Sequence, residues 1–413
     1  MKILLTLIFT FSWAVGQEMF ESFDLESTNR YVGKTTYEFD IGQTSLANRT
    51  LEMLHISGDI EIEGKRTKVL TVVEKMTVKS SSDKKARILY KENKAKVFQA
   101  GPGQIKVMGS AGRRPYKTSF KYYITVPSEY NISAQSSGGD ISMFFVTGET
   151  DLQTSGGDLI IKTANGKISA RTAGGDILID DTKGLVNLKT SGGDIEVSNC
   201  DGKIDASTAG GSIEVNDCQA EISVQTNGGN IDLESITGSS IYGRTMGGDM
   251  EAKKIEGDLK LITYGGYLGL KDITGYVEAK TYAGDIELDN IKGAIEISTG
   301  AGDIEGQFIL GAINAQTDHG DIEIEIRLNQ KIENQDITLK TDHGSILLVL
   351  PEDFSATIDA LVEDNFSDGT IESDFPLEIF MHRGDVRAEG TIHKGKSKIK
   401  LRSNNNSIMI EKE

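Results

Sequence analysis

The phrase Gly-Gly-Asp-Ile, or a close variant of it, returns at a constant step through the middle of this 413-residue chain. Its Asp position falls at 140, 158, 176, 194, 212, 230, 249, 267, 285, 303 and 321, a step of 18 residues broken once, by 19, after Asn230. Such a period marks a chain that stacks one small unit on the next. With the Asp position as zero, +1 is apolar (Ile141, Leu159, Ile177, Ile195), +3 is mostly apolar (Val197, Val215, Leu233), and +2 is often acidic (Glu196, Glu214, Asp232). That alternation is a strand with one buried face. A second alternation occupies +10, +12 and +14, as in Ile204-Asp205-Ala206-Ser207-Thr208, after a turn near +8 where Gly166, Gly184, Gly202 and Gly257 recur. Each rung is therefore expected to hold two short strands. Strands of this length bury a face only by stacking in register, which gives parallel sheets over a narrow core, with right-handed connections. A helical reading fails, because no 3.6 period is present and glycine would break each candidate segment.

The expected fold is all-β: a right-handed parallel β-solenoid of 18-residue, two-strand rungs with antiparallel β sections at both ends. Residues 1–16 read as a signal peptide, with Lys2, the apolar run Ile3–Val15 and the small residues Ala14 and Gly16 before Gln17. The run is short for a membrane span, and no later segment is apolar enough to supply one. The mature chain is thus expected to be exported, to the periplasm, the cell surface or the medium, with no transmembrane segment. A linker follows at 17–37, then an antiparallel β section at 38–134, the solenoid at 135–350 and a C-terminal β cap at 351–413. The 46 glycines against 5 prolines suit many tight turns between short strands.

Charge is unevenly spread. Residues 61–125 carry 16 Lys/Arg against 5 Asp/Glu, whereas residues 126–413 carry 24 against 49. Lys84, Lys85, Arg113 and Arg114 are candidate contacts for an anionic polymer or surface, although lysines also protect exposed strand edges. An exported chain makes nucleic acid an improbable partner.

Several columns carry chemistry. Threonine fills +14 from Thr154 through Thr172, Thr190 and Thr208 to Thr317, and its parity with +10 and +12 turns it inward, as a ladder of hydroxyls bonding neighbouring turns. An outward ice-binding array is the contrasting use of such a column. The aspartates at zero (Asp140, Asp158, Asp176, Asp194, Asp249, Asp285, Asp303, Asp321) suit the capping of turn amides. Calcium is their alternative use, but Ser212, Asn230 and Tyr267 interrupt the ladder. Cys200 and Cys218 share position +6 of adjacent rungs, where stacking would bring their Cα atoms to about 5 Å, so either a disulfide or a pair of stacked thiols fits. His319 and His343 sit in matching Thr-Asp-His-Gly phrases. No Cys or third His joins them, and neither a metal nor a cofactor is expected.

The segment Ile56-Ser57-Gly58-Asp59-Ile60-Glu61-Ile62, the later Tyr123-Ile124-Thr125-Val126-Pro127, the repeated rungs and the closing strand Ser403–Ile410 together resemble the bacterial adhesin-like family of β-strand-repeat proteins. The resemblance implies this fold over roughly residues 40–410 and supplies no catalytic residues. The expected function is that of a non-catalytic, exported adhesin-like or cell-envelope protein that binds an envelope or surface polymer or protein. The competing class is a carbohydrate-active β-helix enzyme. Such enzymes wall a cleft with lengthened turns, and here only the rung between Asp321 and Ser345 grows.

Overall fold

The computed structural model describes residues 17–42, 44–110, 118–328, 335–363, 369–404 and 406–413. The expected signal peptide lies outside them, as do Arg113 and Arg114. The chain divides into two compact units, Met1–Thr208 and Ala209–Glu413.

In the first unit, β1 (Gln17–Ser27), β2 (Arg30–Asp40), β3 (Thr50–Ile56), β4 (Asp59–Lys65) and β5 (Val69–Lys79) precede a helix, α1 (Asp83–Asn93). Then come β6 (Lys96–Gly101), β7 (Gln104–Met108), β8 (Thr118–Pro127), β9 (Asn131–Ser136), β10 (Ile141–Phe144), β11 (Thr150–Thr154), β12 (Leu159–Arg171), β13 (Ile177–Lys189) and β14 (Ile195–Ser207). From β9 onward neighbouring strands are parallel and pair residues one rung apart, as in Ile141 with Leu159, Leu159 with Ile177 and Ile177 with Ile195. The +1 and +3 side chains of every rung are buried, and so are those at +10, +12 and +14.

The second unit continues the pattern with β15 (Ile213–Gln225), β16 (Ile231–Arg244), β17 (Met250–Ile262), β18 (Leu268–Thr274), β19 (Val277–Lys280), β20 (Ile286–Lys292) and β21 (Ile295–Ala301). β22 (Ile304–Ile309), β23 (Ile313–His319), β24 (Ile322–Ile326), β25 (Ile337–His343) and β26 (Ile346–Leu350) complete its rungs. The extra residue of the 19-residue rung is absorbed as a register shift between Thr237 and Ser240. The end of the unit holds β27 (Ala356–Glu363), β28 (Ile371–Ser373), β29 (Glu378–His382), β30 (Asp385–Ile392), β31 (Ser397–Asn404) and β32 (Ile408–Lys412). β31 and β32 stack parallel on β25 and β26, while β27, β30 and β29 pair antiparallel.

Three features depart from the sequence-based expectation. Residues 17–37 are no linker: β1 and β2 form an antiparallel hairpin, and β2 pairs along its whole length with β5. The cause is an alternation that buries Tyr31, Thr35, Tyr37 and Phe39. Within 38–134 the antiparallel sheet is confined to β2, β5 and β8 and the β6–β7 hairpin, whereas β3 and β4 already stack parallel on β9 and β10. Parallel stacking thus begins at Thr50, ahead of the expected boundary at 135. The lysine-rich stretch after Ser82 is the helix α1, whose Ala86 and Tyr90, four residues apart, are its buried contacts.

A further corner also escaped the sequence. Position +5 has left-handed backbone in rung after rung without being glycine: Phe145, Thr163, Asp181, Asn199, Asp217, Ser235, Lys254, Asp272, Asn290 and Phe308 have φ between 52° and 59°. This conformation breaks the strand alternation, so that +3 and +6 both turn inward. Asp and Asn, half of the column, tolerate it best.

Two contacts repeated per rung hold the register. The +14 hydroxyl is buried and reaches the preceding rung: Thr190 Oγ1 donates to Gly175 O at 2.9 Å and accepts from Gly193 N at 3.3 Å. The Asp carboxylate at zero accepts the amide at zero of the next rung, as Asp158 Oδ1 does from Asp176 N at 2.9 Å. The glycine at −1 is sterically required, for a Cβ on Gly175 would stand 2.1 Å from Gly157 O. At −2 there is room, since a Cβ on Gly156 would meet nothing within 4 Å. Ala283, Ala301, His319 and His343 occupy that position in later rungs. Gly175→Ala is therefore expected to lower unfolding free energy by roughly 1–3 kcal/mol, with Gly156→Ala nearly neutral. Thr190→Val, which strands a buried carbonyl and an amide, should cost about 1–3 kcal/mol. Urea denaturation of the three variants checks the order.

Candidate functional site

The outward side chains of β3, β9, β11, β12, β13 and β14 line an open cleft of about 950 Å³ in the first unit. Because the strands are in register, its floor consists of two columns. One, at +9, runs Asn131, Glu149, Lys167, Leu185 and Lys203, with Thr50 ahead of them. The other, at +11, runs Glu52, Ser133, Asp151, Ser169, Asn187 and Asp205. Six strands at about 4.8 Å each give a floor roughly 24 Å long, the reach of an extended chain of several residues.

Lys167 Nζ pairs with Glu149 Oε1 at 3.1 Å, and Arg171 Nη1 with Asp151 Oδ1 at 3.2 Å. Gln153 Nε2 donates to the other Asp151 oxygen at 3.0 Å. These pairs are solvent-exposed, worth little to stability and easily exchanged for a ligand's polar groups. Ser169 Oγ is shielded from solvent and has no hydrogen-bond partner among the described residues. Leu185 adds an apolar step, 55 % exposed, between charged neighbours. The cleft thus offers donors and acceptors in rows, suited to a polar, extended polymer.

The residues singled out in the sequence are not brought to this cleft. Lys84 and Lys85 are exposed on the first turn of α1, while Arg113 and Arg114 fall outside the described residues. Nearby on that helix, Arg87 pairs with Asp83 at 2.8 Å and lies over the Phe23 ring. Cys200 and Cys218 are both buried in the +6 column, in register with Thr182 and Ile236 respectively. Cys200 Sγ lies 3.0 Å from Thr182 Oγ1, and the Cys218 thiol donates to Asn216 O at 3.1 Å. The exposed His319 and His343 rings stack face to face, 4.6 Å apart and 3° from parallel, an arrangement unlike convergent metal ligands. Among the described residues no group of three or more His, Cys, Asp or Glu is placed to hold a metal. Asp140, Asp158, Asp176, Asp249, Asp285, Asp303 and Asp321 each cap an amide, and the acidic +2 column repels itself: Asp232 is raised above the usual carboxylate range, by burial first and then by Glu251 and Glu214.

One buried constellation was missed altogether. Glu74 on β5 is fully buried against the chain leaving α1. Ala95 N donates to both of its oxygens, at 3.0 and 3.2 Å, and Tyr122 Oη to Oε1 at 3.0 Å. Tyr37 Oη in turn donates to Ala95 O at 3.4 Å. Burial pushes the Glu74 carboxyl from 4.5 up to about 7, with the Ala95 amide and Tyr122 hydroxyl holding it back. Only the apolar alternation of β5, interrupted at one inward position by an acid, signals it in the sequence.

This architecture defines a β-solenoid of tight, nearly uniform rungs with a non-solenoid β layer at its N-terminal end. Residues 50–221 and 217–411 each match the family described as Toastrack DUF4097, and the chain belongs to that family. No curated protein matches it. A solved structure of a candidate cell adhesion protein from Clostridium sporogenes is similar at 9% identity and TM-score 0.15, over 96% of this chain and 100% of that one. A likeness of that strength carries no weight. Among the described residues no helix is long and apolar enough to cross a membrane.

The Glu74 constellation sets a pH dependence. Its folded pKa lies above the unfolded value, so the folded state binds the proton more tightly. The resulting stabilisation is complete below about 4.5 and is lost as pH rises through about 7. A shift of this size corresponds to roughly 3 kcal/mol at most. The unfolding free energy of the first unit should therefore fall between pH 5 and 8, and Glu74→Gln should flatten that fall. Equal slopes in both proteins, followed by circular dichroism, would contradict the assignment.

Proposed function

We propose that this chain is a non-catalytic, exported binding module of the bacterial envelope or surface, which holds an extended polar polymer along the cleft of its first unit. The observation that carries this reading is the cleft itself: two registered columns of hydrogen-bonding side chains crossing six strands. Two of its ion pairs, Lys167 with Glu149 and Arg171 with Asp151, run across rungs, so a chain laid over them exchanges one set of polar contacts for another. The leader-like Met1–Gly16 supports export. Lys84 and Lys85 supply a further, long-range attraction for anionic polymers through α1.

The competing reading is an enzyme acting on a polysaccharide. It needs two carboxyls at work as acid and base around a scissile bond. In the cleft Glu149 and Asp151 are each engaged by a cation, which favours binding over turnover.

The test is retention of residues 17–413 on immobilised envelope polysaccharide. Leu185→Glu with Asn187→Lys places long side chains on the floor and should weaken retention about tenfold or more. Charge reversal of Lys84 and Lys85 should weaken it less, and only at low salt, because such attraction is screened beyond about 10 Å at 0.1 M. Unchanged retention in the floor variant overturns the cleft assignment. Release of shortened saccharide, abolished by Glu149→Gln, would replace binding with catalysis.

A further inference from the structure

The turn between β4 and β5 reads Lys65-Arg66-Thr67-Lys68, three cations in four residues with no acid among them. It is held at both ends. Lys65 O accepts from Thr67 N and from Ser128 N, both at 2.9 Å, and Lys68 O accepts from Ile41 N at 2.8 Å. Thr67 Oγ1 accepts from Val69 N at 3.0 Å. The side chains of this turn therefore project from a fixed backbone. A fourth cation, Arg49, enters from the residue before β3, its own carbonyl accepting from Asn131 N at 3.0 Å. These four, with Ser128 and Glu129 of the β8–β9 turn, line an open depression of about 340 Å³. It shares no lining residue with the cleft.

Charge there is unbalanced. Arg49, Lys65, Arg66 and Lys68 face one carboxylate, Glu129, so four positive charges against one negative leave +3. Lys65 Nζ meets Glu63 Oε2 at 2.8 Å in an exposed pair, whereas Arg66 and Lys68 meet no carboxylate among the described residues. Arg49 has donors to spare. Its Nη1 lies 3.5 Å from Glu129 O and 3.9 Å from Glu129 Oε2, both long contacts. Its Nε is shielded from solvent and has no hydrogen-bond partner among the described residues. A shielded donor without a partner costs free energy that an arriving acceptor recovers. The edge formed by Nε and Nη2 is the one that receives two oxygens of an oxyanion side by side. A small rotation that turns this edge into the depression gives up only the two long contacts.

An oxyanion with two charges answers this arrangement better than one with a single charge. A lone carboxylate leaves most of the positive charge unmatched. A phosphate brings two charges, and oxygens enough for the Arg49 edge, Arg66 and Lys68 together. We propose that Arg49, Lys65, Arg66 and Lys68 form a binding site for a phosphate group, free or on a lipid headgroup. The β4–β5 turn and Ser128, tied to each other through Lys65 O, set its shape in advance.

Isothermal titration of residues 17–413 with inorganic phosphate at mildly alkaline pH, with acetate at equal ionic strength as the monoanion control, tests the site. Saturable phosphate binding is expected, with acetate binding far more weakly. Arg66→Gln with Lys68→Gln should weaken phosphate binding about tenfold or more, and Arg49→Gln similarly. Arg66 and Lys68 are exposed, so the first variant keeps the fold, which matching circular dichroism spectra confirm. Lys84→Gln with Lys85→Gln removes the same charge elsewhere and should leave binding unchanged. The cleft variant Leu185→Glu with Asn187→Lys should leave it unchanged too, so failure of the cleft and failure of this site are told apart. Flotation with phosphatidylcholine vesicles, with and without phosphatidic acid, decides the source of the phosphate. Flotation that needs phosphatidic acid and is lost with Arg66 and Lys68 assigns a lipid headgroup; phosphate binding without flotation assigns free phosphate. Absence of phosphate binding by the parent in both assays, equal binding of acetate, or binding that survives the Arg66 and Lys68 substitutions overturns the proposal. An equal loss in the Lys84 and Lys85 variant overturns it too, and leaves net charge as the cause.

Discussion

The whole architecture depends on how closely two backbones can approach at one corner of the rung. At −1 each glycine lies so near the carbonyl of its predecessor that a Cβ there would overlap it, as Gly175 against Gly157 O and Gly193 against Gly175 O demonstrate. The buried threonine then bonds the same carbonyl, converting close approach into a directed contact. A missing side chain and a present hydroxyl act together. With that corner clamped, a one-residue slip would cost both contacts and turn the buried face outward.

A clamped register turns every sequence position into a column at strand spacing. Columns have different consequences indoors and outdoors. Inside, the +1, +3, +6, +10 and +12 positions fill mostly with Ile, Leu, Val, Ala, Met and Cys, largely interchangeable because the core needs volume and apolarity. Outside, a column multiplies whatever chemistry it carries. In the first unit +9 and +11 carry charged, hydroxyl and amide groups, which make the cleft. In the second unit the residue after the buried threonine is Met246, Tyr264 and Tyr282 on successive rungs, which make an exposed row of large side chains. The same frame therefore presents two surfaces of unlike chemistry, in keeping with a family match that occurs twice along the chain.

The N-terminal layer follows other rules. There the antiparallel β2–β5–β8 sheet packs a helix and buries an ionisable group, Glu74, whose hydrogen bonds come from Ala95 and Tyr122. Three partnered contacts only partly repay desolvation of the carboxylate, which is why its proton is held so firmly. The pH dependence expected near neutrality is thus placed on Glu74, within this layer.

The parallel rungs, the burial of +1 and +3, the inward threonines and the capping role of the aspartates were legible in the sequence, because each is a local rule repeated many times over. The clusters at the cleft, at Tyr264 and Tyr282, and around Glu74 were not. Each depends on which residues from separate rungs or strands are placed side by side, and no one rung contains that information. The helix α1 was hidden because its two buried residues, Ala86 and Tyr90, are too few to show a period. The left-handed corner at +5 was hidden because no single residue type marks it. Repetition determined the rung, whereas the assembled unit alone decided which surface columns meet and which left-handed backbone the turn must adopt, because both are set by contacts 18 or more residues apart in the chain.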